Sequence, residues 1–384
     1  MGFPESSLES LVDKSMFNST FENKKVLITG NTGFKGAWLS IWLEQLGAEV
    51  YGISNGVLTN PSLFEAAKLS TKINYRELDI RDLPSLSSVV TEINPDFVFH
   101  LAAQALVFEA YDDPISTLAT NVMGTANVLE SLRSAQHECI AVIITSDKCY
   151  ENAEWVWGYR ENDRLGGKDP YSASKACAEL VIHSYYKSYF SDSDCPIKLV
   201  SARAGNVIGG GDWSINRIIP DCIKAWTHNK PVDIRRPNAT RPWQHVLEPL
   251  SGYLRAAQVL SQKPELNGKS FNLGPPADQN YSVLQLLQEI GCHWFEGNET
   301  FNPVNISAED IRSEAGLLKL SCDSALACLD WKSAINFKQT ARFTAEWYKK
   351  YYNSQKVSMT DFSRHQIDEY CEIAKKRLID WAVA

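Results

Sequence analysis

A glycine-rich turn between two apolar runs is the feature that most restricts the fold of this chain. Residues 24–28 are a short apolar run, Gly30, Gly33 and Gly36 follow at intervals of three, and an amphipathic stretch leads to a second apolar run at 50–53. This order predicts strand, turn, helix and strand, the βαβ unit of parallel sheets. The glycines let the backbone approach a pyrophosphate, whose charge a helix N-terminus favours. We therefore expect an α/β fold with a Rossmann-type doubly wound parallel sheet that binds a nucleotide.

Charge and cysteine content exclude several classes of function. The 384 residues carry 38 Lys and Arg against 46 Asp and Glu, a net charge of −8, which argues against binding to nucleic acid or to an anionic membrane surface. Nine scattered cysteines without a C-x-x-C pair indicate neither a disulfide framework nor a metal site. Residues 1–20 lack the pattern of a signal peptide, and no apolar run is long enough to cross a bilayer. We expect a cytoplasmic protein.

Tyr171 and Lys175 form a candidate catalytic pair. They are four residues apart, so on a helix they share one face. An ammonium beside a phenol favours the phenolate and lowers the tyrosine pKa from about 10. Such a pair can accept the proton of an alcohol near neutral pH. The alternative for this spacing alone is a surface helix with a solvated lysine.

A hydroxyl, a carboxylate and an amine stand on the successive residues Ser146, Asp147 and Lys148. They follow an apolar run at 140–144 that predicts a strand. Catalytic groups of open α/β sheets gather at the carboxyl ends of the strands. The triplet therefore predicts an active site next to the tyrosine–lysine pair, with a solvated loop as the alternative.

The motifs resemble those of a known family. The string TGNTGFKG at residues 29–36 is similar to the glycine turn of the extended short-chain dehydrogenase/reductase family, whose members act on nucleotide sugars. Within about residues 145–254 the chain resembles the CDP-glucose 4,6-dehydratase branch of that family, in the strings TSDKCY, EWVWGYREN, DPYSASK, RAGNVIGGGDW, RIIPD and RPWQHVLEPLSGYL. The triplet Ser-Asp-Lys is typical of this branch, whereas the dTDP-glucose enzymes have Thr-Asp-Glu.

The resemblance implies that the protein dehydrates CDP-D-glucose to CDP-4-keto-6-deoxy-D-glucose. NAD would be the cofactor, reduced and reoxidised in each cycle. The reaction would be a step in deoxysugar (O-antigen, lipopolysaccharide) biosynthesis. Tyr171, beside Lys175, would take the 4-hydroxyl proton while Ser146 binds that oxygen. Asp147 would protonate the departing 6-hydroxyl and Lys148 would remove the C5 proton, although which of the two is acid and which is base stays open. The alternatives are a dehydratase of another nucleotide sugar and a nucleotide-sugar 4-epimerase, which needs no counterpart of Asp147 and Lys148.

Residues that contact the cofactor and the substrate are also implied by the resemblance. Cofactor contacts are implied at Gly30, Thr32, Gly33, Phe34, Lys35, Gly36, Ser54, Asp79, Ile80, Leu101, Ala102, Ala103, Asn121, Tyr171 and Lys175. Substrate contacts are implied at Gln104, Ser146, Asn206, Arg217, Arg235, Arg241 and Asn272. Arginines suit a diphosphate because a guanidinium matches phosphate oxygens as a fork, while a salt bridge is the alternative for each.

Several assignments stay open on the residues alone. The second strand ends at Ser54 with neither an acid for a ribose hydroxyl nor an arginine for a 2′-phosphate, so this turn does not decide between NAD and NADP. Asp79 could instead cap a helix, although Asp82 is better placed for that. His100 lies inside an apolar run and is expected to be a hydrogen-bonded structural residue. The glycines at 209–211 suggest backbone donors beside the sugar.

Two places depart from the family pattern. Phe108 stands where the family usually has Arg, and Ser313-Glu314-Ala315 stands where it has His-Glu-Ala. Both are expected near the substrate, so they bear on which sugar nucleotide is used.

The resemblance implies two domains and a dimer. Residues 21–208, with about 243–272, would form the NAD-binding domain; residues 209–242 and 273–384 would form a smaller C-terminal substrate-binding α/β domain after an N-terminal extension at 1–20. The helical stretch 114–133 and the helix of Tyr171 would form a four-helix bundle between two subunits of a homodimer, with a tetramer as the larger alternative.

Overall fold

The computed structural model describes residues 16–234, 236–295, 304–306, 317–353 and 357–383. Its centre is a seven-stranded sheet whose neighbouring strands are all parallel and lie in the order 3-2-1-4-5-6-7. The strands are β1 (Lys25–Thr29), β2 (Glu49–Ser54), β3 (Asn74–Glu77), β4 (Phe97–His100), β5 (Cys139–Ile144), β6 (Ile197–Ala204) and β7 (Ser270–Leu273). The order changes direction between β1 and β4, where ligands of such sheets bind. The predicted doubly wound parallel sheet is confirmed.

Helices cover both faces of the sheet. They are α1 (Phe34–Gln45), α2 (Leu63–Ala66), α3 (Leu83–Ile93), α4 (Val107–Asp112), α5 (Pro114–Leu118), α6 (Gly124–Arg133), α7 (Pro170–Tyr185), α8 (Ile218–Trp226), α9 (Leu247–Gln262), α10 (Val283–Trp294), α11 (Asp323–Leu329), α12 (Phe337–Asn353) and α13 (Met359–Lys376). Successive strand residues point to opposite faces, so Val26 and Ile28 join the core on the side of α1 and α9 while Leu27 joins the core on the side of α3, α6 and α7. Among the described residues, no helix combines the length and apolarity that a membrane crossing requires.

Short strand pairs follow β6 along the chain. They are Val207–Ile208 with Gln244–His245, Thr240–Arg241 with Tyr281–Ser282, and Val232–Ile234 with Val304–Ile306. The glycines at 209–211 belong to this part, and packing explains two of them. A Cβ on Gly210 would lie 2.1 Å from the Trp347 ring, and one on Gly211 would lie 2.9 Å from Leu63. Packing therefore accounts for the absence of side chains at these two residues, and the expectation that the loop offers backbone donors to a sugar stays a prediction.

The two ends of the described chain meet on α1. Phe17 is buried and stacks on Trp381 with ring centroids 5.0 Å apart, so Met16 and Phe17, within the predicted N-terminal extension, belong to the core. Helix α13 buries Tyr370 against this region. Leu378 lies beyond the end of α13, has a φ of 52° and is exposed.

Candidate active site

The glycine turn after β1 has no room for side chains. Gly30 has a φ of +75°, and a Cβ there would lie 2.7 Å from the Ala102 nitrogen. A Cβ on Gly36 would lie 2.2 Å from the Gly30 carbonyl oxygen. Helix α1 begins at Phe34 with Gly33 as its N-cap, and no side chain caps its first N–H groups. An open helix N-terminus behind a cradle of bare backbone suits a dinucleotide pyrophosphate.

Polar side chains connect this turn to the end of β2. Ser54 Oγ donates to Asn31 Oδ1 (3.0 Å) and accepts from the Thr32 backbone nitrogen (3.3 Å). Thr32 Oγ1 donates to the Gly56 carbonyl (2.8 Å). The buried Asn31 Nδ2 has no hydrogen-bond partner within the described structure, so a donor remains in the turn. Asn31 was not among the predicted site residues, although its place inside TGNTGFKG was a signal for it.

His100 at the end of β4 is a structural residue, as predicted. Its Nδ1 lies 2.7 Å from Thr29 Oγ1, and its Nε2 lies 3.0 Å from Thr125 Oγ1. Burial lowers the pKa of His100 to about 3, so the ring is neutral. Thr29 Oγ1 also accepts from the Ala102 nitrogen (3.2 Å), which holds residues 101–103 against the glycine turn.

Asp79 and Ile80, the two predicted cofactor residues after β3, lie in different surroundings. Asp79 forms an ion pair with Arg81 (2.6 Å) at the surface, and the hydrogen bond from that guanidinium lowers the pKa of Asp79. Ile80 is buried against Gly124, so only its backbone can face a ligand. Asp82 caps α3 by accepting from the Ser85 nitrogen (3.3 Å), which confirms it as the better cap.

The catalytic pair and the triplet are brought together. Asp169 accepts from the Ser172 nitrogen (2.9 Å) and starts α7, which places Tyr171 and Lys175 on one buried face. Ser146 follows β5 and hydrogen-bonds the Tyr171 phenol. Ser146 Oγ also donates to Asp147 Oδ1 (3.0 Å). The structure thus places a hydroxyl, a phenol and a carboxyl group at the carboxyl edge of the sheet.

The pKa of Tyr171 differs from what its spacing from Lys175 predicts. Burial raises the pKa of Tyr171 to about 12, which its hydrogen bond to Ser146 and the charge of Arg217 only partly offset. The prediction that Lys175 lowers this pKa below its usual value is wrong for the protein alone, because desolvation of the phenolate outweighs nearby positive charge. Burial also lowers the pKa of Lys175 to about 8, against the opposing charges of Glu179 and Cys149.

Asp147 keeps one oxygen available. Its carboxyl group is buried, and Oδ2 has no hydrogen-bond partner in the part of the chain that the structure describes. Gly205 lies beside it, since a Cβ there would be 3.0 Å from Oδ2. A buried oxygen without a donor is costly, and it is suited to hold or release a proton toward a ligand. The neighbouring Lys148 side chain is half-buried.

Lys35 and Arg217 bring positive charge to the same place. Burial, with the charges of Arg217 and Lys175, lowers the pKa of Lys35 to about 8, while Asp147 and Asp212 act in the opposite direction. Arg217 Nη1 donates to Asp212 Oδ2 (3.1 Å). Lys35 was predicted as part of the cofactor turn, and the structure also sets it among the catalytic charges. Three cations around two carboxylates suit a bound diphosphate.

Two of the predicted substrate residues, Gln104 and Asn272, form hydrogen bonds with other residues of the protein. Gln104 donates to the Leu106 carbonyl (2.9 Å) and to Thr117 Oγ1 (3.1 Å), and Asn121 binds its backbone. Asn272 is fully buried and donates to the carbonyls of Tyr159 and Ser321. The buried Asn272 amide has both of its groups in use, so its assignment as a substrate contact is not supported, whereas the half-buried Gln104 stays a predicted contact.

The remaining predicted substrate residues lie in the C-terminal part. Arg241 is buried in its strand pair and donates to the Thr240 carbonyl (2.9 Å). Asn206 is half-buried, and its carbonyl accepts from the Gln244 nitrogen (3.2 Å). Arg235 and the segment at 313–315 lie outside the described residues. Phe108 is half-buried on α4. No group of His, Cys, Asp and Glu in the described ranges has an arrangement that would hold a metal ion.

Comparisons with known proteins agree with this geometry. The sequence profile of the GDP-mannose 4,6-dehydratase family matches residues 27–344. A CDP-glucose 4,6-dehydratase of Salmonella typhimurium is 40% identical over 94% of this chain and 98% of its own length. A UDP-glucose 4-epimerase of Mycoplasma pneumoniae is 24% identical over 86% of this chain and 98% of its own length.

Solved structures show the same fold. The dTDP-glucose 4,6-dehydratase of Bacillus anthracis in complex with NAD has a TM-score of 0.70 at 20% identity, over 85% of this chain and 97% of that one. The profile match spans most of the chain, and the alignment with the Salmonella relative covers 94% of it. On these grounds, the chain belongs to the GDP-mannose 4,6-dehydratase family.

Proposed function

We propose that this protein is a nucleotide-sugar 4,6-dehydratase that converts CDP-D-glucose to CDP-4-keto-6-deoxy-D-glucose. The observation that carries the proposal is Asp147, which stands beside Ser146 with a buried oxygen that no described residue binds. Oxidation at C4 alone needs only Ser146, Tyr171 and Lys175, whereas loss of water also needs an acid and a base. The 40% identity to a CDP-glucose 4,6-dehydratase supports the choice of CDP-glucose.

The glycine turn and the end of β4 fit NAD. The backbone at Gly30, Gly33 and Gly36, the segment 101–103 and the donor on Asn31 would hold its diphosphate and ribose side. When bound, NAD supplies a hydride acceptor for C4 and a hydride donor for C6. Related structures carry NAD at this fold, as in the Bacillus anthracis dehydratase.

The first half of the reaction uses the tyrosine side of the site. The Tyr171 phenolate accepts the proton of the 4-hydroxyl while Ser146, hydrogen-bonded to the Tyr171 oxygen, positions the sugar oxygen. A phenol with a pKa of about 12 is a weak donor of its own proton at neutral pH, so positive charge from Lys175 and Arg217 must favour the phenolate as the sugar binds. The product of this half is a 4-ketone.

The second half removes water. The 4-ketone acidifies the C5 hydrogen, which Lys148 removes, while Asp147 gives a proton to the departing 6-hydroxyl. The C5–H and C6–O bonds break, a C5–C6 double bond forms, and one water leaves. To reach the 4-keto-6-deoxy sugar, C6 needs a hydride, which bound NADH would supply, and C5 needs a proton, which Lys148 would return. The two residues could exchange these roles, because both lie next to Ser146 and the structure leaves Asp147 Oδ2 available.

The test is incubation of the protein with CDP-glucose and catalytic NAD⁺, followed by alkali and the ultraviolet absorbance of a 4-keto-6-deoxy sugar. Sugars linked to dTDP, UDP and GDP are run in parallel. We expect a signal with CDP-glucose alone. A signal only with another nucleotide would keep the chemistry and overturn the substrate, and CDP-galactose without any keto sugar would show a 4-epimerase.

We also propose a homodimer formed through a four-helix bundle, to which each subunit contributes the stretch 114–133 and α7. Apolar side chains are exposed on this stretch, on the neighbouring α4, and on α7 with the turn that continues it, namely Tyr111, Ile115, Leu118, Met123, Leu180 and Tyr189. Exposed apolar side chains grouped on neighbouring helices are typical of subunit interfaces. In light scattering after gel filtration, Ile115→Glu should halve the mass. Leu378→Glu is the matched control, because that side chain is 73% exposed against 74% for Ile115; a dimeric Ile115→Glu would refute the interface.

The division into a NAD-binding part at 21–208 with 243–272 and a substrate-binding part at 209–242 with 273–384 is part of the same proposal. So is a role in deoxysugar biosynthesis for O-antigen or lipopolysaccharide. A cytoplasmic location and a tetramer stay predictions from the sequence.

A further inference from the structure

A buried ion pair lies directly behind the catalytic residues. Glu179 on α7 and Arg203 on β6 approach to 2.7 Å, and their side chains are 3% and 4% exposed. Glu179 also accepts from the hydroxyls of Thr145 and Ser201, the latter at 3.0 Å. Burial by itself would raise the pKa of Glu179, but Arg203 and these hydroxyl donors hold it below its usual value. The carboxylate is therefore charged.

The pair is connected to both parts of the active site. Thr145, which donates to Glu179, is the residue immediately before Ser146. Lys175 is one helical turn before Glu179 on α7, so the two side chains share a face. Among the charged groups that act on the pKa of Lys175, Glu179 has the largest effect.

Arg203 extends the connection away from the site. Its Nη1 donates to Tyr150 Oη (2.8 Å) and to the Glu161 carbonyl (2.9 Å). Tyr150 Oη in turn donates to Asn272 Oδ1 (2.7 Å) on β7. This explains why Asn272 is unavailable to a substrate, since it anchors the network to the edge of the sheet.

Stability alone does not require such an arrangement. A buried ion pair can often be replaced by apolar residues with no loss of stability, because desolvation of the two charges offsets their attraction. We propose that Glu179 is a positioning residue: its carboxylate fixes Thr145, immediately before the catalytic triplet, and places a negative charge one helical turn from Lys175. The kinetic part of this inference rests on the proposed function, while the charge on Lys175 does not.

Several groups besides Glu179 surround Lys175, and a test of Glu179 must distinguish its effect from theirs. Cys149 faces it from the turn after β5 and acts in the same direction as Glu179. Lys35 on α1 and His100 on β4 also interact with it, the histidine being neutral. Tyr171 shares its helix face. Glu179 is the one carboxylate among these groups, so its removal should have a distinct signature.

The first experiment measures the protonation of Lys175 directly. Native protein and Glu179→Gln are labelled with trace acetic anhydride between pH 6 and pH 10, and peptides with Lys175 and Lys35 are quantified by mass spectrometry. The labelling midpoint of Lys175 should fall by about one pH unit, the order expected for loss of a nearby opposite charge. Lys35 is the internal control for direction, because the positive charge of Lys175 lowers its pKa, so the Lys35 midpoint should not fall together with that of Lys175. An unchanged Lys175 midpoint would overturn the inference.

A second variant keeps the test decisive if Glu179→Gln does not fold. Glu179→Gln leaves Arg203 buried without its partner, whereas the double change Glu179→Gln with Arg203→Met leaves no buried charge. Since Arg203 is not among the charges that act on Lys175, the double variant should show the same fall in the Lys175 midpoint. No fall in the folded double variant would refute the role of Glu179.

The positioning of the triplet is tested with a matched pair. Thr145→Val and Ser201→Ala each remove one hydroxyl donor from the same carboxylate. Similar decreases in Tm are expected, but only Thr145→Val should lower kcat, by about tenfold with KM unchanged, because only Thr145 is bonded to the triplet. Equal kcat values would overturn the positioning role. Native protein without activity on any nucleotide sugar would instead overturn the proposed function, while the Lys175 labelling would still decide the charge.

Discussion

Glu248 on α9 should make the stability of this protein depend on pH. Its carboxyl group is fully buried and accepts from the backbone nitrogens of Ala334 (2.9 Å) and Ile335 (2.7 Å) and from Tyr370 Oη (2.9 Å). Burial raises the pKa of Glu248 from 4.5 to about 7, although these bonds and Arg377 act in the opposite direction. The group thus holds α9, the segment before α12 and α13 together as a weak acid.

The sign and size follow from this difference in pKa. Because the pKa is higher in the folded state, the stabilising contribution is fully present below about pH 4.5 and is lost as the pH rises through about 7. A difference of about 2.5 units, at 1.36 kcal/mol each, gives about 3 kcal/mol, most of it between pH 5 and pH 8. With an unfolding entropy of about 2.1 cal/mol/K per residue, this corresponds to a Tm change of about 4 °C.

The test compares the native protein with Glu248→Gln, which resembles the protonated acid and does not titrate. Urea unfolding is measured at several values between pH 5 and pH 8, with Glu372→Gln on the exposed side of α13 as the control. The stability of Glu248→Gln relative to native should increase with pH by about 3 kcal/mol, and that of the control should not. A difference that is constant with pH would refute the reasoning.

Two further outcomes are expected at the site. Gly36→Ala should abolish NAD binding measured by calorimetry, since its Cβ would lie 2.2 Å from the Gly30 oxygen, whereas Gly33→Ala, with 3.3 Å to the same atom, should bind more weakly but measurably; equal binding by the two would contradict the steric argument. Asp147→Asn should lower keto-sugar formation by about 10²- to 10⁴-fold, while absorbance at 340 nm should still rise when CDP-glucose is added to protein with NAD⁺. Full product formation by this variant would exclude Asp147 as the acid.

The sequence was most informative where local pattern decides structure. The glycine spacing and the apolar runs at 24–28 and 50–53 predict β1, α1 and β2, because backbone approach and side-chain period are local properties. The four-residue spacing of Tyr171 and Lys175 likewise predicts a shared face. These expectations needed no knowledge of distant neighbours.

Errors arose where distant packing decides. Asn272 looked like a substrate contact, but Tyr150, more than a hundred residues earlier, occupies its amide oxygen. Nothing in the sequence indicated that Gly210 is needed to fit Trp347, which lies more than a hundred residues later. The Tyr171 pKa depends on how much water surrounds the phenol, and this is set by elements from several parts of the chain. Burial is a property of the assembled fold that spacing alone does not give.

Strand β7 is synthesised long after its partner β6. β6 ends at Ala204, and its partner β7 begins at Ser270, so the ribosome must add more than sixty residues before that edge of the sheet is paired. Until then, the eight residues of β6 offer an unpaired backbone edge to any other nascent chain. During this interval Arg203 also lacks the anchor that Asn272 gives to Tyr150. A truncated chain that ends near residue 208 would remain in this unprotected state, and chaperones would be needed to keep it from associating.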